Sequence, residues 1–149
     1  MVWAGFGYSG KTEIVRVGTH MKAVHYQKML SEYLLPVGAS IGGQTWKFQQ
    51  DNAGIHTAHS TIAWFQDNAI EAINWPSLSP DMNPIENLWG VLVRKVFHGG
   101  RQFENANHLK IAIRAAWHDI DVSILRNLVE SMPKRVFELI RANGGPTKY

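Results

Sequence analysis

From residue 84 to residue 142 the chain reads as one helical stretch after another, whereas the residues before Trp75 alternate strand-like and helical segments. That order limits the fold more than any other feature. Strands gathered early and covered by helices make a mixed α/β layer around one sheet. Residues 1–8 are apolar and aromatic, Ser9-Gly10-Lys11 reads as a turn, and residues 12–17 alternate, so a β-hairpin is expected over 1–18. Val24, Met29, Leu30 and Leu34 recur at helical intervals and predict a helix over about 22–35. Pro36 and the glycines Gly38, Gly42 and Gly43 mark the loop after it. A strand over 46–50, a helix over about 57–68 and a strand over about 70–74 follow. Beyond the turn-rich segment 75–84, helices are expected over about 84–98, 104–118 and 122–142, the last broken at Pro133. A single domain accounts for 149 residues without internal repeats or low-complexity linkers.

Composition narrows the class. A chain that is 45% hydrophobic and 18% charged is globular rather than disordered or fibrous. With no cysteine, disulfides and cysteine-ligated zinc are excluded. No apolar run approaches the roughly 18 residues of a membrane span, and the opening lacks a signal-peptide layout. A cytosolic or nuclear protein is the default expectation. Charge is uneven: residues 1–90 sum to −2 and residues 91–149 to +5. A basic half beside an acidic one permits contact with a polyanion, and equally describes ordinary solvated helices.

Two carboxylates stand where chemistry would want them. Asp51 directly follows the 46–50 strand, at the strand-end position where open α/β sheets collect functional groups. Asp51-Asn52 also fits a simple turn or cap. Glu86 lies in the first turn of a helix that Asn83 would cap and Pro84 would begin. Asn83-x-x-Glu86 equally fits a capping box. Between Asp51 and Glu86 are 34 residues, among them Trp75-Pro76 and Ser79-Pro80, with Asn83-Pro84 closing the segment. Prolines at that spacing stiffen the backbone that must hold a carboxylate in place. Such a pair can share Mg²⁺, which prefers oxygen ligands and is held by one or two carboxylates plus phosphate oxygens. Two ions about 3.5–4 Å apart can activate water or a 3′-hydroxyl and stabilise the leaving oxygen of a phosphodiester.

Phe48-Gln-Gln-Asp51-Asn-Ala-Gly-Ile-His56, followed by Trp75-Pro-Ser-Leu-Ser-Pro-Asp81-Met-Asn-Pro-Ile-Glu86-Asn-Leu-Trp89, resembles the catalytic core of the Tc/mariner transposases, Tc branch. The opening Met1-Val-Trp-Ala-Gly and the close from Leu139 to Tyr149 resemble the family too, so the likeness covers essentially the whole chain. The resemblance implies a ribonuclease-H-like DDE fold and a cut-and-paste DNA transposase, a polynucleotidyl transferase using Mg²⁺ or Mn²⁺. Asp51 and Glu86 would be its second and third catalytic, metal-binding carboxylates, with Asn52 and His56 beside the site and His56 not a ligand. Double-stranded DNA, both transposon ends and target, would be the partner, a homodimer the assembly, and the nucleus the compartment; no membrane is involved.

One departure is plain. The family's first catalytic aspartate sits on the central strand of the sheet, before the hairpin with which this sequence opens. Of the earlier acidic residues, neither Glu13 nor Glu32 matches that motif. The expectation is therefore an N-terminally truncated fold lacking the first central strand, without the family's helix-turn-helix domains, and inactive on its own. The sheet should show a break between the hairpin and the 46–50 strand, or a direct pairing of those two elements.

The remaining motifs weigh less. Trp64, Trp89 and Trp117 sit at helical positions suited to core packing; Trp75 lies in the proline-rich loop. His56 and His59 are spaced for a metal but lack a third ligand nearby. Asp81, in Ser-Pro-Asp, reads as a turn residue. Arg94, Lys95, Arg101, Lys110 and Arg114 can line a DNA channel through sequence-independent, salt-sensitive phosphate contacts, or form a solvated face. A non-catalytic DNA- or transposase-binding remnant is the alternative function. An unrelated ribonuclease-H-like nuclease acting on RNA–DNA hybrids is a third, against which the proline-rich loop argues.

Overall fold

The computed structural model describes residues 1–76, 79–145 and 147–149. Ser77 and Leu78 of the proline-rich segment, and Pro146 of the closing Gly-Gly-Pro, lie outside the described residues. The chain divides into two compact units, Met1–Ser79 and Pro80–Tyr149.

The first unit opens with the hairpin, in two short ladders. β1 (Val2–Trp3) pairs antiparallel with β4 (Val15–Arg16), and β2 (Phe6–Gly7) with β3 (Gly10–Lys11). The turn is Tyr8-Ser9; Gly10 and Lys11, expected in the turn, already belong to the returning strand. Between the ladders, Ala4 and Gly5 face three residues, Thr12 to Ile14, the count of a β-bulge. The bulge is closed by Thr12, whose N–H donates to the Gly5 carbonyl at 2.8 Å while its Oγ1 accepts from the Gly5 N–H at 2.9 Å.

α1 (Ala23–Tyr33) and α3 (His59–Asp67) pack together. Val17, Tyr26, Met29, Leu30, Leu34, Phe65 and Ile70 form the buried core of this unit. Two of the glycines read as loop markers, Gly38 and Gly42, instead lie in α2 (Gly38–Gly42), and Gly43 caps its end with φ 88°. A Cβ on Gly38 would fall 2.5 Å from Trp46 Cζ2, and one on Gly42 would fall 2.7 Å from Trp46 Cβ. Their signature is thus the close approach of an indole to a helix, not a loop. The expected strands over 46–50 and 70–74 shrink to one parallel bridge, Phe48 to Ala72. Its two bonds, Phe48 N–H to Glu71 carbonyl and Ile73 N–H to Phe48 carbonyl, are both 2.8 Å. Among the described residues no ladder joins the hairpin to this bridge.

The second unit is helical: a 3₁₀ turn (Pro80–Met82), then α4 (Pro84–Val96), α5 (Ala106–His118), α6 (Val122–Glu130) and α7 (Met132–Arg141). α4 packs against α5 and α6. Leu88, Leu92 and Val96 form its buried face, and Trp117, Ile120 and Leu125 are buried in the same unit. Trp89 and Trp117 stack with centroids 5.6 Å apart. The helical stretch expected over 122–142 with a break at Pro133 is two helices, separated at Ser131. The break falls two residues before Pro133 because proline fits the first turn of a new helix, where its missing N–H needs no partner. Asn105 and Asp121 cap α5 and α6, accepting from the N–H groups of Asn107, His108 and Ser123. Among the described residues no helix is long and apolar enough to cross a membrane.

Candidate active site

Asp51 lies in the first unit and Glu86 in the second. Asp51 follows the Phe48 bridge by three residues, and its side chain is 65% exposed. One oxygen is held. Oδ1 accepts from the Ala53 N–H at 3.1 Å and from His56 Nδ1 at 2.6 Å. Because a carboxylate can only accept, the His56 nitrogen facing it carries the proton. Oδ2 makes no hydrogen bond among the described residues. The simple turn reading of Asp51-Asn52 is therefore met by Oδ1, while the second oxygen stays available.

The neighbours fix this loop from two sides. Asn52 Nδ2 donates to the Trp75 carbonyl at 2.7 Å, tying the strand end to the start of the proline-rich segment. Gln50 Nε2 reaches the His56 carbonyl at 3.4 Å, and Gln50 Oε1 accepts from the Tyr26 hydroxyl at 2.7 Å. The Tyr26 and His56 rings lie 4.4 Å apart at 33°. Burial, and secondly the charge of Asp51, push the Tyr26 phenol far above its ordinary value, so it stays a donor.

Glu86 is the third residue of α4 and is exposed. Asn83 stands at the N-cap and Pro84 in the first turn, but the Asn83 side chain makes no cap bond. The capping-box alternative is thus not formed from the Asn83 side. A carboxylate in this first turn is favoured by the positive end of the helix dipole.

Beneath this helix start lies Arg135 of α7, only 2% exposed. Its Nη1 donates to the Asp81 carbonyl at 2.7 Å, Nη2 to Asn87 Oδ1 at 2.8 Å, and Nε to Ser131 Oγ at 2.9 Å. The guanidinium carbon stands 4.4 Å from the Tyr149 ring centroid. Arg135 therefore pins the chain on both sides of Glu86. Asp81 adds a second tie, its Oδ2 accepting from the Thr147 hydroxyl at 2.7 Å and the Thr147 N–H at 3.1 Å. It is a structural residue of a 3₁₀ turn, in keeping with its sequence reading.

Those Thr147 bonds hold the Asp81 carboxyl below its ordinary value of 3.8. A carboxylate lowered in the folded state contributes stability above its ordinary pKa and loses it as the pH falls through the folded value. Thr147→Val should thus move the acid-unfolding midpoint upward and leave the curve near neutral pH almost parallel to that of the parent. Acid titration followed by circular dichroism reads this directly; an unmoved acid limb would contradict it.

Of the basic residues, Arg94, Lys110 and Arg114 are exposed. Lys95 is held by Asp119 at 2.6 Å, and Arg101 stands over the Phe103 ring at 4.9 Å. No group of three His, Asp or Glu side chains gathers for a metal among the described residues. His56 Nδ1 bonds to Asp51, and His59 begins α3 exposed. Tyr26 and Arg135 escaped the sequence reading. Tyr26 falls on the same helical stripe as Met29 and Leu30, a signal for burial. Arg135 gave none, because its Asp81 and Asn87 partners lie 54 and 48 residues away.

Residues 2–110 match the family model described as DDE superfamily endonuclease. The Tc3 transposase of Caenorhabditis elegans is 40% identical over 149 residues, all of this chain and 45% of its own length. The chain spans about half the length of the curated relatives it matches. The Mos1 transposase catalytic domain, solved with raltegravir and Mn, superposes with a TM-score of 0.78 at 17% identity, over 99% of this chain and 82% of that one. The Mos1 mariner paired end complex with Mn gives a TM-score of 0.80 at 20% identity, over 99% and 44%. The fold is thus the ribonuclease-H-like DDE fold. The chain belongs to the DDE endonuclease superfamily, with a catalytic domain homologous to those of the Tc/mariner transposases.

Proposed function

We propose that this domain serves metal-dependent phosphodiester chemistry on double-stranded DNA, hydrolysis at transposon ends and then strand transfer into target DNA, with Asp51 and Glu86 as its metal-binding carboxylates. The observation that carries this is the asymmetry of Asp51: one oxygen is fixed by His56 and a backbone N–H, and the other is unbonded on an exposed side chain. Two hard oxygen donors suit Mg²⁺ or Mn²⁺, which bind through one or two carboxylates and complete their shell with water and phosphate. The Mos1 relatives solved with Mn, one of them as a paired end complex, support both the metal and the DNA. When bound, the metal would lower the pKa of water or a 3′-hydroxyl and offset charge on the phosphate.

The chain's own residues have separate tasks. Asp51 and Glu86 hold the ion, His56 and Ala53 fix the Asp51 rotamer, and Asn52 anchors the strand end to Trp75. Arg94, Arg101 and Lys110 contact phosphates, each adding to the salt dependence of binding; Lys95 joins them only by leaving Asp119. A homodimer in the nucleus is the proposed working form. The resemblance assigns three carboxylates and residues 1–149 supply two, so this polypeptide alone is proposed to bind Mg²⁺ weakly and to cleave nothing.

Amide spectra recorded with increasing Mn²⁺ test this. Saturable broadening should centre on residues 50–56 and vanish in Asp51→Asn, with no nicking of supercoiled DNA by either protein. Clean Mg²⁺-dependent nicking that Asp51→Asn abolishes would overturn the inactivity. Absence of broadening near Asp51 would remove it from the metal site. Salt-sensitive DNA binding, indifferent to metal and to Asp51→Asn, is what the binding-only alternative predicts.

A further inference from the structure

We infer that Tyr26, on α1 and outside the motifs around Asp51 and Glu86, is a positioning residue for Asp51, acting through Gln50 and His56 so that His56 donates to Oδ1 and leaves Oδ2 for the metal. The inference rests on the proposed metal role of Asp51, but its geometry stands independently. A tyrosine hydroxyl buried at 1% residue exposure is costly unless it is bonded. Here the bond is not to the surrounding core but to Gln50, the residue before Asp51. The same ring packs at 4.4 Å on the imidazole of His56, the residue that grips Asp51. Gln50 in turn reaches the His56 carbonyl. One side chain on α1 thereby sets both ends of the 50–56 loop.

The arrangement also explains why tyrosine, rather than phenylalanine, occupies this core position. A phenyl ring would fill the same space and stack equally well, yet would remove the donor to Gln50 Oε1 and leave the carboxamide only its longer bond to the His56 carbonyl. Metal sites commonly depend on such outer partners, whose loss weakens metal binding although they never touch the ion.

The test uses residues 1–149 with the His56 ring nitrogens read by long-range ¹H–¹⁵N correlation at a fixed neutral pH. The parent should show protonated Nδ1. Tyr26→Leu, which removes both ring and hydroxyl, should shift His56 away from that form and weaken Mn²⁺ broadening at residues 50–56 about tenfold. Tyr26→Phe retains the ring and should produce the same changes in smaller measure; it keeps the test decisive if the leucine variant fails to fold. Met29→Ala, a core truncation one turn away, should lower the melting temperature and leave the His56 signature unchanged. A His56 ring that stays in the parent form in both Tyr26 variants overturns the inference, as does a parent without protonated Nδ1. If the tautomer shifts but Mn²⁺ affects neither protein, Tyr26 positions Asp51 and it is the metal reading that fails.

Discussion

Arg135→Ala is expected to destabilise the second unit by several kcal/mol, about 1–3 kcal/mol for each buried acceptor it leaves without a donor. The partners decide the size. The Asp81 carbonyl is main chain, so no compensating substitution can remove its need for a donor. Asn87 Oδ1 loses a bond at the same time, and the Tyr149 ring loses the cation it covers. Arg135→Lys keeps the charge but cannot reproduce a planar fork serving three separate acceptors, so it should recover less than half of the loss. Arg135→Met, close in volume, should resemble alanine more than arginine, because the deficit is in hydrogen bonds rather than in packing. Urea unfolding of the three variants measures this. A methionine variant as stable as the parent would show that the clasp contributes little.

Leu88→Ala is the second large effect, at about 2–5 kcal/mol. Leu88 is fully buried, at 0% exposure, on the face of α4 that meets α5 and α6. It is two residues from Glu86, so the same cavity loosens the helix turn that carries the carboxylate. Leu88→Met conserves most of the volume and should cost under about 1.5 kcal/mol. Thermal unfolding of the pair separates lost volume from altered helix propensity, since leucine, methionine and alanine all favour helix. Equal losses in the two variants would contradict a packing origin.

Most of the helices, and the place of Glu86 in the first turn of α4, were legible, because each follows from local periodicity or a short-range start signal. Asn83-Pro84 announced α4 within the chain itself. Long-range pairing was not legible. Residues 46–50 have strand-like character, but a ladder needs a partner, and only Phe48 finds one in Ala72. Gly38 and Gly42 were misleading because glycine marks both loops and close approach, and only the position of Trp46 distinguishes them. Lys95 reads as a free cation until Asp119 is placed beside it, 24 residues later. Arg135 is the extreme case: arginine on a short amphipathic helix suggests solvent, and burial becomes favourable only when two distant acceptors, on Asp81 and Asn87, converge with the nearby Ser131 hydroxyl.

The stacked indoles of Trp89 and Trp117 have an optical consequence. Two identical chromophores with centroids 5.6 Å apart and planes inclined at 31° share their excited states, and a chiral arrangement of that kind produces a paired positive and negative band in circular dichroism. The other four tryptophans, Trp3, Trp46, Trp64 and Trp75, all belong to the first unit. The couplet is therefore an unlabelled beacon for the second unit, one that goes dark when α4 and α5 separate, whatever the hairpin and its neighbours are doing.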